Sequence, residues 1–231
     1  MDKANKEKKK NRFLIPAFYE DEHLLVVNKP ADLASVPAEF IPEHKTVAGR
    51  VREWAEAENK DYKPYPLHRL DKPTSGVMMF GKFPRDREAL ENIFKNHQTE
   101  KTYLALVKWV PKQKKGSIRT PLKARTIDKK VSAVTHYELL KNLGDASLLA
   151  VRIETGRKHQ IRQHMAMIGH PLVLDRDYGD RNFNSHYQRK HKGRGRFFLH
   201  SWKISFLDPF SGLTQEIVAD PPEEFSVSNP E

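Results

Sequence analysis

At 231 residues, the chain is long enough for one large domain or two small ones; having no cysteine, it excludes disulfide frameworks, thiolate metal sites and cysteine nucleophiles. A net charge of +11, from 41 Lys and Arg against 30 Asp and Glu, favours a polyanionic partner. No apolar run approaches membrane-spanning length and no secretory pattern opens the chain, so a cytoplasmic location without membrane contact is expected.

Residues 1–12 (MDKANKEKKKNR) are Lys-rich and nearly devoid of apolar groups, and are expected to form a disordered basic arm. Residues 13–220 read as the main domain and residues 221–231 as a loose tail rich in Pro and Glu. His23-Leu24-Leu25-Val26-Val27 predicts a strand stopped by Asn28-Lys29-Pro30. Thr46 to Ala57 predicts a helix capped by Thr46, with Val47, Val51, Trp54 and Ala55 on one face. Val77 to Gly81 is a short buried strand. Pro84 to His97 follows helical spacing through Leu90, Ile93, Phe94 and His97, with Pro84 in the first turn.

Lys101 to Trp109 predicts a strand with Tyr103, Ala105, Val107 and Trp109 on one face and Leu104 and Leu106 on the other. Val131 to Leu140 and Ser147 to Glu154 read as a hairpin joined through Asn142-Leu143-Gly144-Asp145. Gln160 to Ile168 is a helix with Ile161, Met165 and Ile168 inward. Strands at Phe197–Leu199, Trp202–Leu207 and Gln215–Ala219 surround the turn Asp208-Pro209-Phe210-Ser211-Gly212. Many hairpin-like strands interrupted by a few helices predict an α+β fold, with a largely antiparallel mixed sheet and flanking helices.

The positive charge is clustered. Lys108 to Lys130 holds nine Lys or Arg against one Asp, and Arg181 to Arg196 holds Arg181, Arg189, Lys190, Lys192, Arg194 and Arg196 with no acid. Two loop-like segments of one sign favour a nucleic acid.

Three stretches carry candidate chemistry. In His68-Arg69-Leu70-Asp71-Lys72-Pro73-Thr74-Ser75-Gly76, Asp71 lies between cations that hold a carboxylate ionised, just before a buried strand. Alone, such an Asp is as readily a turn former as a catalytic group. Glu154 to His164 gathers Arg157, Lys158, His159, Gln160, Arg162 and His164 at a helix entry, a setting for phosphate or carboxylate, or simply a wet basic face. His159 and His164 are five apart, which is not the spacing of a zinc helix motif. No nucleotide-binding glycine loop is present, so no cofactor and no metal are expected. Tyr103 is either plain core or, on a cleft wall, a ring that stacks on a base. A glycosyl hydrolase would need a second carboxylate near Asp71, and no segment obviously supplies one.

Taken in order, these segments resemble the RluA family of pseudouridine synthases over nearly the whole chain from Asp21 to Ala219. The resemblance rests on Val26-Val27-Asn28-Lys29-Pro30, His68-Arg69-Leu70-Asp71 with Thr74-Ser75-Gly76, Glu100-Lys101-Thr102-Tyr103, Thr155 to Arg162 with His164 and Gly169-His170-Pro171-Leu172, and Phe198-Leu199-His200 with Pro209. It departs at Asp175, preceded by Val173-Leu174 where the family commonly has Gly-Asp. The first twenty residues leave no room for the S4 domain that many relatives carry. The short relatives modify tRNA or large-subunit rRNA, and the sequence does not separate these types.

The resemblance implies the pseudouridine synthase catalytic fold and isomerisation of a flipped-out RNA uridine, with no cofactor. It makes Asp71 essential, pairs Arg162 with it, and gives Tyr103 the uracil to stack on and a part in proton removal from C5. Arg69 would fill the gap left by the flipped base. His68, Arg157, Lys158, His159, Gln160, Arg189, Lys190 and Lys192 would contact RNA. A monomer is expected. The alternative is a catalytically silent RNA-binding or ribosome-assembly module of the same fold.

Overall fold

The computed structural model describes residues 14–95, 99–124, 129–191 and 196–225. The expected basic arm, His97, Arg125, Lys192, Arg194 and most of the tail lie outside these residues.

Strand β2 (Leu24–Lys29) pairs with β1 (Tyr19–Glu20) and with β4 (Ser75–Gly81), whose seven residues are all buried. β3 (Tyr65–Pro66) pairs with the far end of β4. β5 (Thr99–Lys108), β9 (Thr135–Asn142) and β10 (Ala146–Ile153) form an antiparallel block extended by β6 (Lys115–Ile118). β7 (Leu122–Lys123) and β8 (Lys130–Val131) make a small separate ribbon. β11 (Leu199–Leu207) joins the two blocks, antiparallel to β5 and parallel to β4, and β12 (Thr214–Val218) pairs with its end. The result is a ten-stranded mixed sheet in the order β1-β2-β4-β11-β5-β10-β9-β6, with β3 and β12 alongside. This is the expected α+β, largely antiparallel fold.

Among the described residues, four α-helices cover both faces. Helix α1 (Val47–Ala57) starts where Thr46 accepts a hydrogen bond from the Gly49 N–H, and it packs Val47 and Val51 on Leu25, Val27, Met78 and Phe80. Helix α2 (Arg87–Lys95), preceded by a 3-10 turn at Pro84–Asp86, packs Leu90 and Ile93 on Leu24, Val26, Val77 and Met79. Alternation along β2 and β4 therefore puts the two helices on opposite faces of one wing. Helix α3 (Gln160–Met167) packs Ile161 and Met165 against Tyr103, Ala105 and Val107, while helix α4 (Arg181–His191) places Tyr187 with Leu104 and Leu106 on the other face. Each such side chain contributes about 1.5–3 kcal/mol when fully buried.

Four expectations are corrected. The segment after Asp180 is largely helix, not loop: Asp180 accepts from the Phe183 N–H, and Phe183 and Tyr187, one turn apart, stack at 5.8 Å. Trp109 leaves the β5 face, since a φ of 59° turns the chain there and its ring carries Lys108 Nζ at 3.6 Å. Ile168 caps α3 at its exposed end instead of facing the core. The strands expected at Phe197–Leu199 and Trp202–Leu207 are largely one strand, β11, with a bulge between Ser201 and Lys203 that breaks the alternation.

Gly76 explains the Thr-Ser-Gly sequence. Its φ is +111°, and a Cβ there would sit 2.1 Å from the Ser201 carbonyl oxygen. Only glycine lets β4 approach β11 this closely.

Candidate active site

The loop Arg69 to Thr74 enters β4 under several restraints. Ser35 holds Leu70 from both sides, its hydroxyl donating to the Leu70 carbonyl at 2.7 Å and accepting from the Leu70 N–H at 3.0 Å. The Thr74 N–H donates to the Asp71 carbonyl at 3.0 Å, closing a turn. Beneath it, Lys29 is fully buried and its ammonium donates to the carbonyls of Pro30 at 3.0 Å, Lys72 at 3.0 Å and Thr74 at 2.7 Å. Burial pushes the Lys29 pKa down to about 7, with Asp32 and Asp71 pulling it up and Arg196 pulling it down. His68 accepts from the Met79 N–H at 3.1 Å and tilts against Phe94 at 5.1 Å. Burial, with Lys101 nearby, drives the His68 pKa down to about 3, so it stays neutral.

Asp71 thereby reaches the wall of a cavity of about 670 Å³, whose lining includes Arg69, Tyr103, Arg157, Lys158, His159, Gln160 and Arg162. The volume is in the range of small-ligand sites. The loop before β4, the middle of β5 and the start of α3 each supply part of the wall. Asp71 is 34% exposed and its carboxylate lies 3.8 Å from His159 Nε2. His159 sits in the left-handed region at the α3 N-terminus, with its other nitrogen 3.2 Å from the Tyr178 hydroxyl. Burial lowers the His159 pKa, Asp71 opposes that, and Arg162 and Lys158 add to it.

Tyr103 is buried by the strands beside β5. Burial pushes its hydroxyl up to about 12; a hydrogen bond with Ser201 pulls it down, and the Asp71 charge raises it further. The phenol is therefore protonated across the ordinary pH range.

Arg162 is nearly buried and lies over the faces of Tyr178 at 4.9 Å and Phe197 at 4.5 Å. The structure corrects its expected partner. Its Nε and Nη2 donate to the two oxygens of Asp175 at 2.7 Å each, and Nη2 also donates to Asp177 at 2.6 Å; Asp71 is not among its ion pairs. Burial alone would lower the Arg162 pKa, but these carboxylates more than offset that and hold it fully charged. Burial would likewise raise Asp175, yet Arg162 and the N–H groups of Tyr178 and Asp177 draw it below the usual carboxylate range.

Three expected RNA contacts have other tasks. His68 supports β4 and does not line the cavity. Gln160 does line it, but its amide accepts from Thr155 Oγ1 at 2.7 Å and from the Arg157 N–H at 3.1 Å. Its Nε2 donates to the Val134 carbonyl at 2.9 Å and to Thr135 Oγ1 at 3.0 Å, so it organises the loop instead. Lys190 forms an ion pair with Asp145 at 2.9 Å. Arg189 is exposed on α4, away from the cavity wall, and Lys192 lies outside the described residues. Lys123, from the first basic segment, does reach the cavity. Lys29, Ser35 and Asp175 stand in recognisable segments whose sequence does not show these tasks, and Asp177 carries no local signal at all.

Among the described residues, one carboxylate and one phenol lie on the wall of a cavity rich in cations, a setting suited to an anionic substrate. A family model described as RNA pseudouridylate synthase matches residues 23–167. The chain is 32% identical over 222 residues to ribosomal large subunit pseudouridine synthase D of Zymomonas mobilis, covering 90% of this chain and 70% of that protein. It is also 32% identical over 222 residues to tRNA pseudouridine synthase C of Vibrio cholerae, covering 86% and 87%. Among solved structures, human RNA pseudouridylate synthase domain containing 4 superposes with a TM-score of 0.75 at 23% identity, over 95% of this chain and 92% of that one. The chain belongs to the RNA pseudouridylate synthase family and is an isomerase acting on RNA.

Proposed function

We propose that this enzyme converts a particular uridine of a structured rRNA or tRNA to pseudouridine after flipping it into the cavity, with Asp71 as the essential residue. The observation that carries the reading is the convergence of Asp71, Tyr103 and Arg162 on one cavity from three distant segments. In this reaction the N1–C1′ bond breaks, the uracil turns, C5 bonds to C1′, the C5 proton leaves and N1 gains a proton. Asp71 either attacks C1′ or takes a proton from the ribose. Tyr103 supplies a ring for the uracil. Because its hydroxyl is protonated, Tyr103 contributes its ring and its hydroxyl dipole, and does not serve as a ready base for the C5 proton. Arg162, held by Asp175 and Asp177, forms a fixed part of the cavity wall. Arg69, exposed on the rim, enters the helix where the uridine was, and Arg157, Lys158 and Lys123 hold phosphates.

The test is incubation of the purified enzyme with unmodified rRNA and tRNA transcripts, followed by chemical mapping of pseudouridine. Wild type is expected to convert a defined uridine. Asp71→Asn is expected to bind the same RNA and convert none. An Asp71→Asn enzyme with normal conversion would overturn the reading, and a wild type that converts no RNA would return the chain to a silent RNA-binding role.

A further inference from the structure

Thr74 is 2% exposed, and its Oγ1 is buried without a hydrogen-bond partner. Among the described residues it is the cavity-lining residue with such an atom. A buried polar group left unpaired is costly and rare, so its persistence calls for a partner that arrives from elsewhere. The rest of the residue is fixed: its N–H donates to the Asp71 carbonyl, and its own carbonyl accepts from Lys29 at 2.7 Å. Both backbone groups are thus engaged while the hydroxyl is not. A threonine χ1 is stiff, so holding the hydroxyl in one position costs little entropy.

Resting on the reading above, we propose that the Thr74 hydroxyl is a substrate-binding group that hydrogen-bonds a polar atom of the flipped nucleotide beside Asp71. A hydroxyl both donates and accepts, so a ribose hydroxyl or a carbonyl on the uracil edge satisfies it equally. The role differs from that of Ser75 next to it, whose hydroxyl lies 2.9 Å from His200 Nδ1 and is satisfied within the protein.

The test is Thr74→Val, which keeps the shape and removes the hydroxyl. A structural hydroxyl would make the variant less stable. A substrate-binding one leaves the melting temperature within about 2 °C of wild type or raises it, because no internal bond is lost. Turnover of the mapped uridine should fall roughly three- to tenfold in kcat/KM, the loss of one neutral hydrogen bond. Thr74→Ser should restore it. The source of the contact is then read by binding to Asp71→Asn, with RNA carrying 2′-deoxyuridine or 4-thiouridine at that position. The replacement that weakens binding to Asp71→Asn should cease to matter in the Asp71→Asn, Thr74→Val double variant. A Thr74→Val enzyme with unchanged kcat/KM, or one that melts more than about 5 °C lower, would overturn the proposal. If wild type converts no RNA, it is the broader reading that fails.

Discussion

Replacing Asp175 by Asn removes half of a buried ion pair without changing side-chain size. The carboxylate has no exposed surface and accepts four hydrogen bonds: two from Arg162 at 2.7 Å, one from the Asp177 N–H at 2.9 Å and one from the Tyr178 N–H at 3.2 Å. An Asn can keep one oxygen in place, but its NH2 then faces donors. Arg162 would remain buried between Tyr178 and Phe197, with Asp177 as its carboxylate. Asp177 is 64% exposed, so solvent screens that pair and it recovers little. Breaking a buried pair in this way costs about 3–5 kcal/mol. At roughly 2–4 °C per kcal/mol for a chain of this size, the melting temperature should fall by about 6–20 °C.

Thermal unfolding followed by circular dichroism measures this directly, with Asp177→Asn as the control expected to cost no more than about 1 kcal/mol. Turnover should fall with Asp175→Asn more than RNA affinity does, because Arg162 loses its fixed direction toward the cavity. The pH dependence has a definite sign. Asp175 has its folded pKa depressed below 3.8, so its stabilisation is present above that value and is lost as pH falls through the lower folded one. The gap between wild type and Asp175→Asn should therefore be constant near neutrality and narrow only below about pH 4. A variant that melts within about 2 °C of wild type and turns over normally would refute the reasoning.

Lys29→Met should destabilise the protein by about 2–4 kcal/mol, because three carbonyls lose a charge-assisted donor while relief of the ammonium's burial offsets only part of that. Calorimetry checks it, and an unchanged melting temperature would show that the Asp71 loop does not need the clamp. Tyr103→Phe should retain RNA affinity, because the ring survives, whereas Tyr103→Ala should lose it; equal loss in filter binding would contradict the stacking role. With the Tyr103 hydroxyl near 12, any alkaline limb of the pH–rate profile below about pH 10 should be the same in wild type and in whatever activity Tyr103→Phe retains. Gly76→Ala should impair folding and turnover together, since its Cβ meets the Ser201 backbone and its φ is left-handed; normal yield and rate would count against the close approach.

Residue types alone leave Asp71 and Tyr103 open between structural and functional roles; the ordered motifs that resemble the family single out Asp71, Tyr103 and Arg162. Both faces of β5 are legible in the alternation of Tyr103, Ala105 and Val107 with Leu104 and Leu106. What could not be read was where each polar group finds its partner. His68 and Gln160 look like RNA contacts until the Met79 N–H and the Val134 carbonyl are seen to occupy them. Lys29 looks like an exposed strand-end lysine, because nothing local shows that the carbonyls of Lys72 and Thr74 come to it from more than forty residues away. Arg162 offers charge to any nearby carboxylate; its choice of Asp175 follows from burial, which a sequence does not display. Helix α4 was missed because only Phe183 and Tyr187 mark its inner face, too few to set a helical period.

The two wings of the sheet give the position of the site a physical reason. Asp71 belongs to the β2–β4 wing, whose loop Lys29 and Ser35 hold, while Tyr103 and Arg162 belong to the β5–β10 wing with α3. Neither wing contains the whole constellation. They meet along β11, where Ser201 pairs with Gly76 on one side and with Tyr103 on the other. The bulge that follows Ser201 coincides with the end of the β4 pairing, and β12 takes up that edge from Lys203 onward. The sheet is thus continuous for only two residue pairs between β4 and β11, and those pairs lie level with Tyr103. The distance from Asp71 to Tyr103 depends on that short parallel contact and on the missing Cβ of Gly76. The Thr-Ser-Gly sequence therefore serves the site three ways: Thr74 closes the turn that carries Asp71, Ser75 meets His200, and Gly76 forms the join that brings the second wing within reach.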